Sequence, residues 1–297
     1  MKRAFIVISG ILLFVATGQR LAAQDHFVPI QQPDLSQKTG IAPAFWGPNA
    51  FQVPDMLDGT VSHTLKFEVA GGYADGRITD GGTDRTGDIF VKLNVPLWTD
   101  RVNLSAWWSV HEWYSMSDDV KAARRIDPSI SGKGHETGAA YISIDGEILR
   151  EKKYAPAISA RICLRTASEG TSVPFGAARS YDAAGYFFDL SVGKSFGPVR
   201  IAASGGFLCW QTDNGRQNDA VMFGALASYS SDWVSVNAQY GGYWGWERYG
   251  DFPRVIKARL DLCNKWIVHP FATFQYGFHD WPFWQARAGI QLNVNIL

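Results

Sequence analysis

The chain has 297 residues, 46% of them hydrophobic, and its 28 Lys and Arg balance 28 Asp and Glu. That balance gives no electrostatic case for binding nucleic acid. Three widely separated cysteines, Cys163, Cys209 and Cys263, form neither a disulfide framework nor a zinc-ligand pattern. Aromatic residues reach 14%, with 12 Trp and 11 Tyr, a richness that suits secreted enzymes and barrels whose rims sit at membrane interfaces.

The chain opens with MKRAFIVISGILLFVATGQRLAAQ: two bases, an apolar run from about Ala4 to Ala16, and a small-residue end at Ala22-Ala23. This pattern predicts a secretory signal peptide over residues 1–23, cut before Gln24. The run is shorter than the roughly 20 residues of a spanning helix, and no later apolar stretch approaches that length. A mature protein in a membrane must therefore cross it as strands. Removing residues 1–23 leaves 25 of the 28 bases against all 28 acids.

Residues 24–61 read as an irregular arm. Five prolines (Pro29, Pro33, Pro43, Pro48 and Pro54) remove ladder donors, and the stretch IAPAFWGPNAFQVPDM is rich in aromatic residues. Two placements suit such an arm. It could be a periplasmic tail folded against the base of a barrel, or a plug inside a lumen with Phe45, Trp46, Pro48, Asn49 and Phe51 as its plugging or docking residues.

From residue 62 to 297 about twelve alternating segments follow, near 62–74, 85–97, 101–115, 135–149, 155–168, 181–196, 198–211, 218–230, 233–247, 253–264, 266–279 and 281–297. Most run 12–16 residues, far beyond the roughly 5–6 of an ordinary globular strand and enough for a tilted strand to cross a bilayer with wet ends. Tight joints at Thr99-Asp100, Gly197-Pro198, Ser231-Asp232 and Asn264-Lys265 alternate with longer polar ones such as DGRITDGGTD, SDDVKAARRIDPSISGKG and EGTSVPFGAARS. An even strand count then places both chain ends on the side of the short turns.

The segments are two-faced. In ISARICLRT, Ile158, Ala160, Ile162 and Leu164 oppose Ser159, Arg161, Cys163 and Arg165. In VIKARLDLC, Ile256, Ala258, Leu260 and Leu262 oppose Lys257, Arg259 and Asp261. In WVSVNAQYGGYWGWE, Val234, Val236, Ala238, Tyr240, Trp244 and Trp246 oppose Ser235, Asn237, Gln239, Tyr243 and Glu247. The last segment sets Ile290, Leu292, Val294 and Ile296 against Arg287, Gln291, Asn293 and Asn295. A period of two with one apolar face marks a strand between unlike media. Twelve long strands of this kind in a soluble sandwich would demand a very large core. A closed barrel instead turns the apolar rows to lipid and the polar rows to a lumen, and leaves no unpaired edge.

On these features the chain resembles bacterial outer-membrane β-barrel proteins. The resemblance spans nearly all of residues 62–297 and is architectural. It implies an all-β, antiparallel barrel of about 12 strands in the outer membrane of a Gram-negative bacterium. One departure lies at the end, where such proteins often finish in Phe and this one finishes Asn295-Ile296-Leu297.

Chemistry is sparser. FVKLNVPLW followed by LSAWWSVHEWYSMSDD is faintly similar to the early strands of outer-membrane phospholipase A, but no NHxSNG-like run is present. Alternation puts Ser109 and His111 on one face without an acid or amide to orient the histidine. His269 and His279 lie ten residues apart on one strand, over 30 Å at roughly 3.3 Å each, too far to share a metal. No catalytic residue, cofactor or metal is predicted.

The polar rows carry Lys66, Glu68, Asp88, Lys92, Asp145, Glu147, Arg161, Arg165, Asp189, Arg200, Lys257, Arg259, Asp261 and Arg287. They could pair into a network that fills a narrow barrel, or the bases could form a ladder steering anionic solutes. Arg161, Arg165, Arg200, Arg259 and Arg287 loosely resemble the arginine arrangement of twelve-stranded porins for acidic oligosaccharides. The expectation is a channel-like barrel for small polar or anionic solutes, in contact with outer-membrane lipids. The alternatives are a plugged accessory barrel working with other envelope proteins, or an outer-membrane enzyme acting on lipid.

Overall fold

The structure is a computed structural model that describes residues 47–97, 100–124, 126, 128–168, 184–210, 219–246 and 251–295. The predicted signal peptide, Phe45, Trp46, Ile296 and Leu297 lie outside the described residues.

Among the described residues, thirteen strands form one antiparallel sheet. They are β1 (Leu65–Gly76), β2 (Asp84–Pro96), β3 (Val102–Met116), β4 (Lys133–Glu136), β5 (Ala140–Leu149), β6 (Ala157–Arg165), β7 (Gly185–Phe196), β8 (Val199–Trp210), β9 (Ala220–Ser230), β10 (Val234–Trp244), β11 (Arg254–Leu262), β12 (Val268–His279) and β13 (Phe283–Val294), with one helix, α1 (Asp118–Ala123). Each barrel strand pairs with the next, and β13 pairs with β1 from Leu65↔Val294 to Gly76↔Phe283. The sheet is a closed barrel of twelve staves with one extra strand. The extra strand arises because β4 and β5 share a stave. β4 pairs with Glu112–Ser115 and β5 with Val102–Trp108, both on β3.

Sequence alternation becomes two surfaces. Outside stand Ile144, Ile162, Leu164, Val192, Ile201, Val236, Ile256 and Ile290, each at least 44% exposed. Trp233, Trp266 and Phe196 flank this band at the short-turn end, and Trp113, Trp244 and Phe278 at the other. An exposed apolar belt rimmed by amphipathic rings is what a bilayer selects. Inside lie Glu68, Asp88, Ser105, Asp145, Arg161, Asp189, Ser191, Gln275, Gln285 and Gln291, all buried. Ile290 and Val294 face outward and Gln291 inward, while Asn295 lies past the end of β13 and is exposed.

The connections divide by length. At one end lie short turns such as Gly197-Pro198, with Gly197 at φ +63°, and 231–233. At the other lie longer joins, including 77–83 and 117–132. The described part of the 117–132 join (117–124, 126 and 128–132) is more ordered than its polar sequence implies. It carries α1 and folds back onto the mouth, where Tyr114, Met116, Val120 and Ile126 form a small core. Buried Arg124 pairs with buried Asp84 there and lies over the Phe283 ring.

Strand irregularities overturn two expectations. β3 pairs Ile89 with His111 and Phe90 with Ser109, so Val110 is an extra, bulged residue. A bulge inverts the alternation beyond it. Ser109 therefore points into the lumen, whereas the His111 ring packs on Trp113 and His135 along the outward row. The two residues do not share a face. Trp246 was expected beside the apolar residues of its segment. Instead β10 ends at Trp244, Gly245 takes φ +92°, and Trp246 turns inward to 1% exposure.

Candidate functional site: a lumen occupied by the chain's own arm

Residues 47–61 run through the lumen. At the loop end Phe51 sits with its ring 4.9 Å from Trp246 and 6.0 Å from Trp210, centroid to centroid, and the Arg165 guanidinium lies 5.0 Å from its ring centre. Tyr243, Val255, Trp281 and Phe283 complete this cluster, and each is 0–1% exposed. At the turn end, Gly59 reaches the barrel wall at Ala157 and Gly193. The arm then turns into β1.

Side chains of the wall fasten the arm at successive depths. Highest is a knot around Asn49. Its Oδ1 accepts from Gln285 Nε2 at 2.8 Å and Arg287 Nη2 at 2.7 Å, and its Nδ2 donates to Asp88 Oδ2 at 3.2 Å. Arg287 also pairs with Asp88 at 2.6 Å, and Ser109 Oγ donates to Asp88 at 3.1 Å. Gly72 leaves the room, since a Cβ there would lie 1.8 Å from Asp88 Oδ1. Pro48 precedes this knot within the described chain, buried like its neighbours Gly47 and Asn49.

Lower down, Lys257 Nζ donates to the Val53 carbonyl at 2.6 Å and pairs with Asp55 at 2.7 Å. Arg161 donates to the Asp55 carbonyl at 2.5 Å while pairing with Asp189 at 2.8 Å. Gln239 accepts from the Met56 amide at 3.0 Å. Near the turns, Arg200 donates to the Asp58 carbonyl at 2.8 Å and pairs with Glu151 at 2.7 Å. Backbone contact is closest at the last fastening. A Cβ on Gly193 would lie 1.9 Å from the Asp58 carbonyl oxygen, and Gly59 holds φ +87°, a conformation that favours glycine.

The lumen charges thus largely consume one another. Arg259 holds Glu68 at 3.0 Å and Asp261 at 2.7 Å. Asp145 accepts from Ser105 and Ser143, both at 2.9 Å, and Glu147 takes Arg150 at 3.0 Å. Of the arginines and lysine expected to line a solute path, Arg161, Arg200, Lys257 and Arg287 are bound to the arm itself. A mixed-sign, low-dielectric lumen favours such pairing, because an unpaired buried charge is costly.

Sequence reasoning missed the acids on the arm, Asp55 and Asp58, and Glu151 in the turn after β5. One signal was available: an arm carrying two acids beside a lumen with an excess of inward bases. It also missed the aromatic seal, since Trp210, Trp246 and Trp281 fall at or beyond strand ends, where alternation carries no information.

Between the arm and the wall a cavity of about 190 Å3 occupies mid-lumen, lined by Trp107, Tyr141, Phe187, Lys257 and Arg287 among others. It shares Met56, Glu68, Lys92, Asn94 and Arg259 with a polar chamber of about 420 Å3 at the turn end.

No protein-family model matches the chain, and no curated protein matches it. Solved structures do. An outer membrane channel from Pseudomonas putida F1 is similar with a TM-score of 0.62 at 12% identity, over 81% of this chain and 99% of that one. The transport unit of the autotransporter AIDA-I from Escherichia coli gives 0.49 at 9% identity, covering 83% and 94%. The NanC porin gives 0.46 at 11% identity, covering 76% and 98%. Twelve paired staves, an apolar outer belt and a polar lumen thus give the chain the fold of an outer-membrane β-barrel.

Proposed function

We propose that the protein is a gated outer-membrane channel for small polar or anionic solutes, and that residues 47–61 of its own chain are the gate. The observation carrying this reading is the string of fastenings from Asn49 to Gly59. They are side-chain and backbone bonds to a preformed wall, so the arm can leave without unpairing any strand. Two adjoining cavities, with Met56, Glu68, Lys92, Asn94 and Arg259 common to their walls, mark a partial polar path from the turn end to mid-lumen, and the aromatic cluster around Phe51 closes it. As the arm leaves, water enters behind it and takes over its hydrogen bonds to the wall, which suits a reversible gate.

The test is conductance in planar bilayers. The full-length protein should be mostly closed. Deletion of residues 48–58, with the barrel confirmed as folded by its heat-modifiable gel mobility, should give stable conductance steps. A folded but silent deletion variant would overturn the reading.

That silence would favour a second one, an accessory barrel whose lumen is filled for good. The dry aromatic seal supports it. A lipid-acting enzyme draws least support, since Ser109 is tied into the Asn49 knot and His111 faces outward. Vesicle hydrolysis abolished by Ser109→Ala would revive it.

A further inference from the structure

The chamber at the turn end holds two bases that the rest of the lumen does not use. Lys66 on β1 and Lys92 on β2 both point inward, across the register pairs Lys66↔Asn94 and Glu68↔Lys92. Arg161, Arg200, Lys257 and Arg287 each pair with a carboxylate within 4.0 Å and donate hydrogen bonds. Lys66 and Lys92 do neither among the described residues: Lys92 lies 5.8 Å from the Trp107 ring centre and attracts Asp55, itself paired with Lys257, only through space. The chamber's two carboxylates, Glu68 and Asp261, are already held by Arg259. Three bases therefore face two acids, and the surplus sits on adjacent strands.

Unpartnered acceptors line the same space. Asn94 Oδ1 and Asn237 Oδ1 are buried with no hydrogen-bond partner. Two unpaired ammonium groups call for an anion, and buried carbonyl oxygens call for donors such as hydroxyl groups. At about 420 Å3 the chamber falls in the size range of small-molecule sites. Short turns of outer-membrane barrels face the periplasm, so the chamber opens there.

We propose that this chamber is a periplasm-facing binding site for a small hydroxylated carboxylate, with the carboxylate between Lys66 and Lys92 and hydroxyl groups donating to Asn94 and Asn237. It rests on the channel reading for its meaning as a station on a solute path. The binding itself is measurable in the closed protein.

The experiment is calorimetric titration of the full-length protein in detergent with tartrate, and with the uncharged polyol threitol as control. Saturable tartrate binding at one site is expected, with none for threitol. Lys66→Met and Lys92→Met should each weaken binding about tenfold or more, and Lys92→Arg should largely restore it. Asn237→Leu should weaken tartrate binding without weakening that of succinate, which lacks the hydroxyl donors. Lys265→Met, at an exposed turn, should change nothing. No saturable binding to the folded protein, or binding indifferent to both lysine substitutions, would overturn the site. Failure of the gate reading is a separate result: an arm-deleted barrel that stays silent while the wild type still binds tartrate.

Discussion

The arm is held at the two ends of the lumen by different chemistry. At the loop end Phe51 is buried among Trp210, Trp246, Trp281 and Phe283, and the arm is held by packing. At the turn end the arm is held by Arg200, Glu151 and the backbone contact of Gly59 with Gly193, beside an open polar chamber. Packing excludes water, so the first end is the barrier. Hydrogen bonds position but yield to water, so the second end is the tether. One arm thus carries a stopper at one end and a strap at the other, and only the strapped end adjoins the polar chamber of about 420 Å3.

Cutting the stopper should have the largest effect. Phe51→Ala removes a buried ring and leaves a cavity, a loss of about 3–5 kcal/mol in the docking of the arm. Single-channel recording should show frequent opening where the wild type is mostly closed. An unchanged open probability would mean that the aromatic wall alone seals the mouth.

Gly193→Val tests the strap. The added side chain collides with the Asp58 carbonyl, a backbone atom that cannot swing aside. Overpacking of this kind costs about 1–3 kcal/mol. The expected result is more frequent but briefer opening than in Phe51→Ala, because the stopper stays seated. Equal effects from the two substitutions would erase the distinction between the ends.

The smallest effect concerns pH. Glu151 lies in the turn after β5, and its carboxyl is lowered to about 2, first by the Ser195 amide and also by the Arg200 guanidinium and Ser195 hydroxyl. Its folded value lies below the ordinary 4.5, so its stabilisation is full well above that value and is lost progressively as pH falls from 4.5 to about 2. Open probability from this strap should rise below about pH 4.5 and be flat between about pH 7 and 5.5. Glu151→Gln should raise it slightly and equally across that window. A wild-type open probability that stays flat down to about pH 3 would show that Glu151 titrates alike with the arm in or out and does not hold it.

Much of the molecule was legible in the sequence. Long alternating segments, short turns between them and an apolar row on every strand specified a membrane barrel, because a two-medium environment imprints a period of two on each stave. The lumen rows followed from the same period, so Arg161, Arg259 and Arg287 fell on the inward face. The alternation failed where the backbone departs from it. The bulge at Val110 parted Ser109 from His111, and Gly245 carried Trp246 inward.

The sequence by itself determined which residues meet lipid and which meet the lumen, since that division is local and repeats every second residue. Only the tertiary structure decided what fills the lumen. Asn49 meets Arg287 across 238 residues and Asp55 meets Lys257 across 202, and no periodicity links such pairs. Barrel closure alone brings them within reach, and the high cost of leaving charge unpaired inside it binds arm to wall.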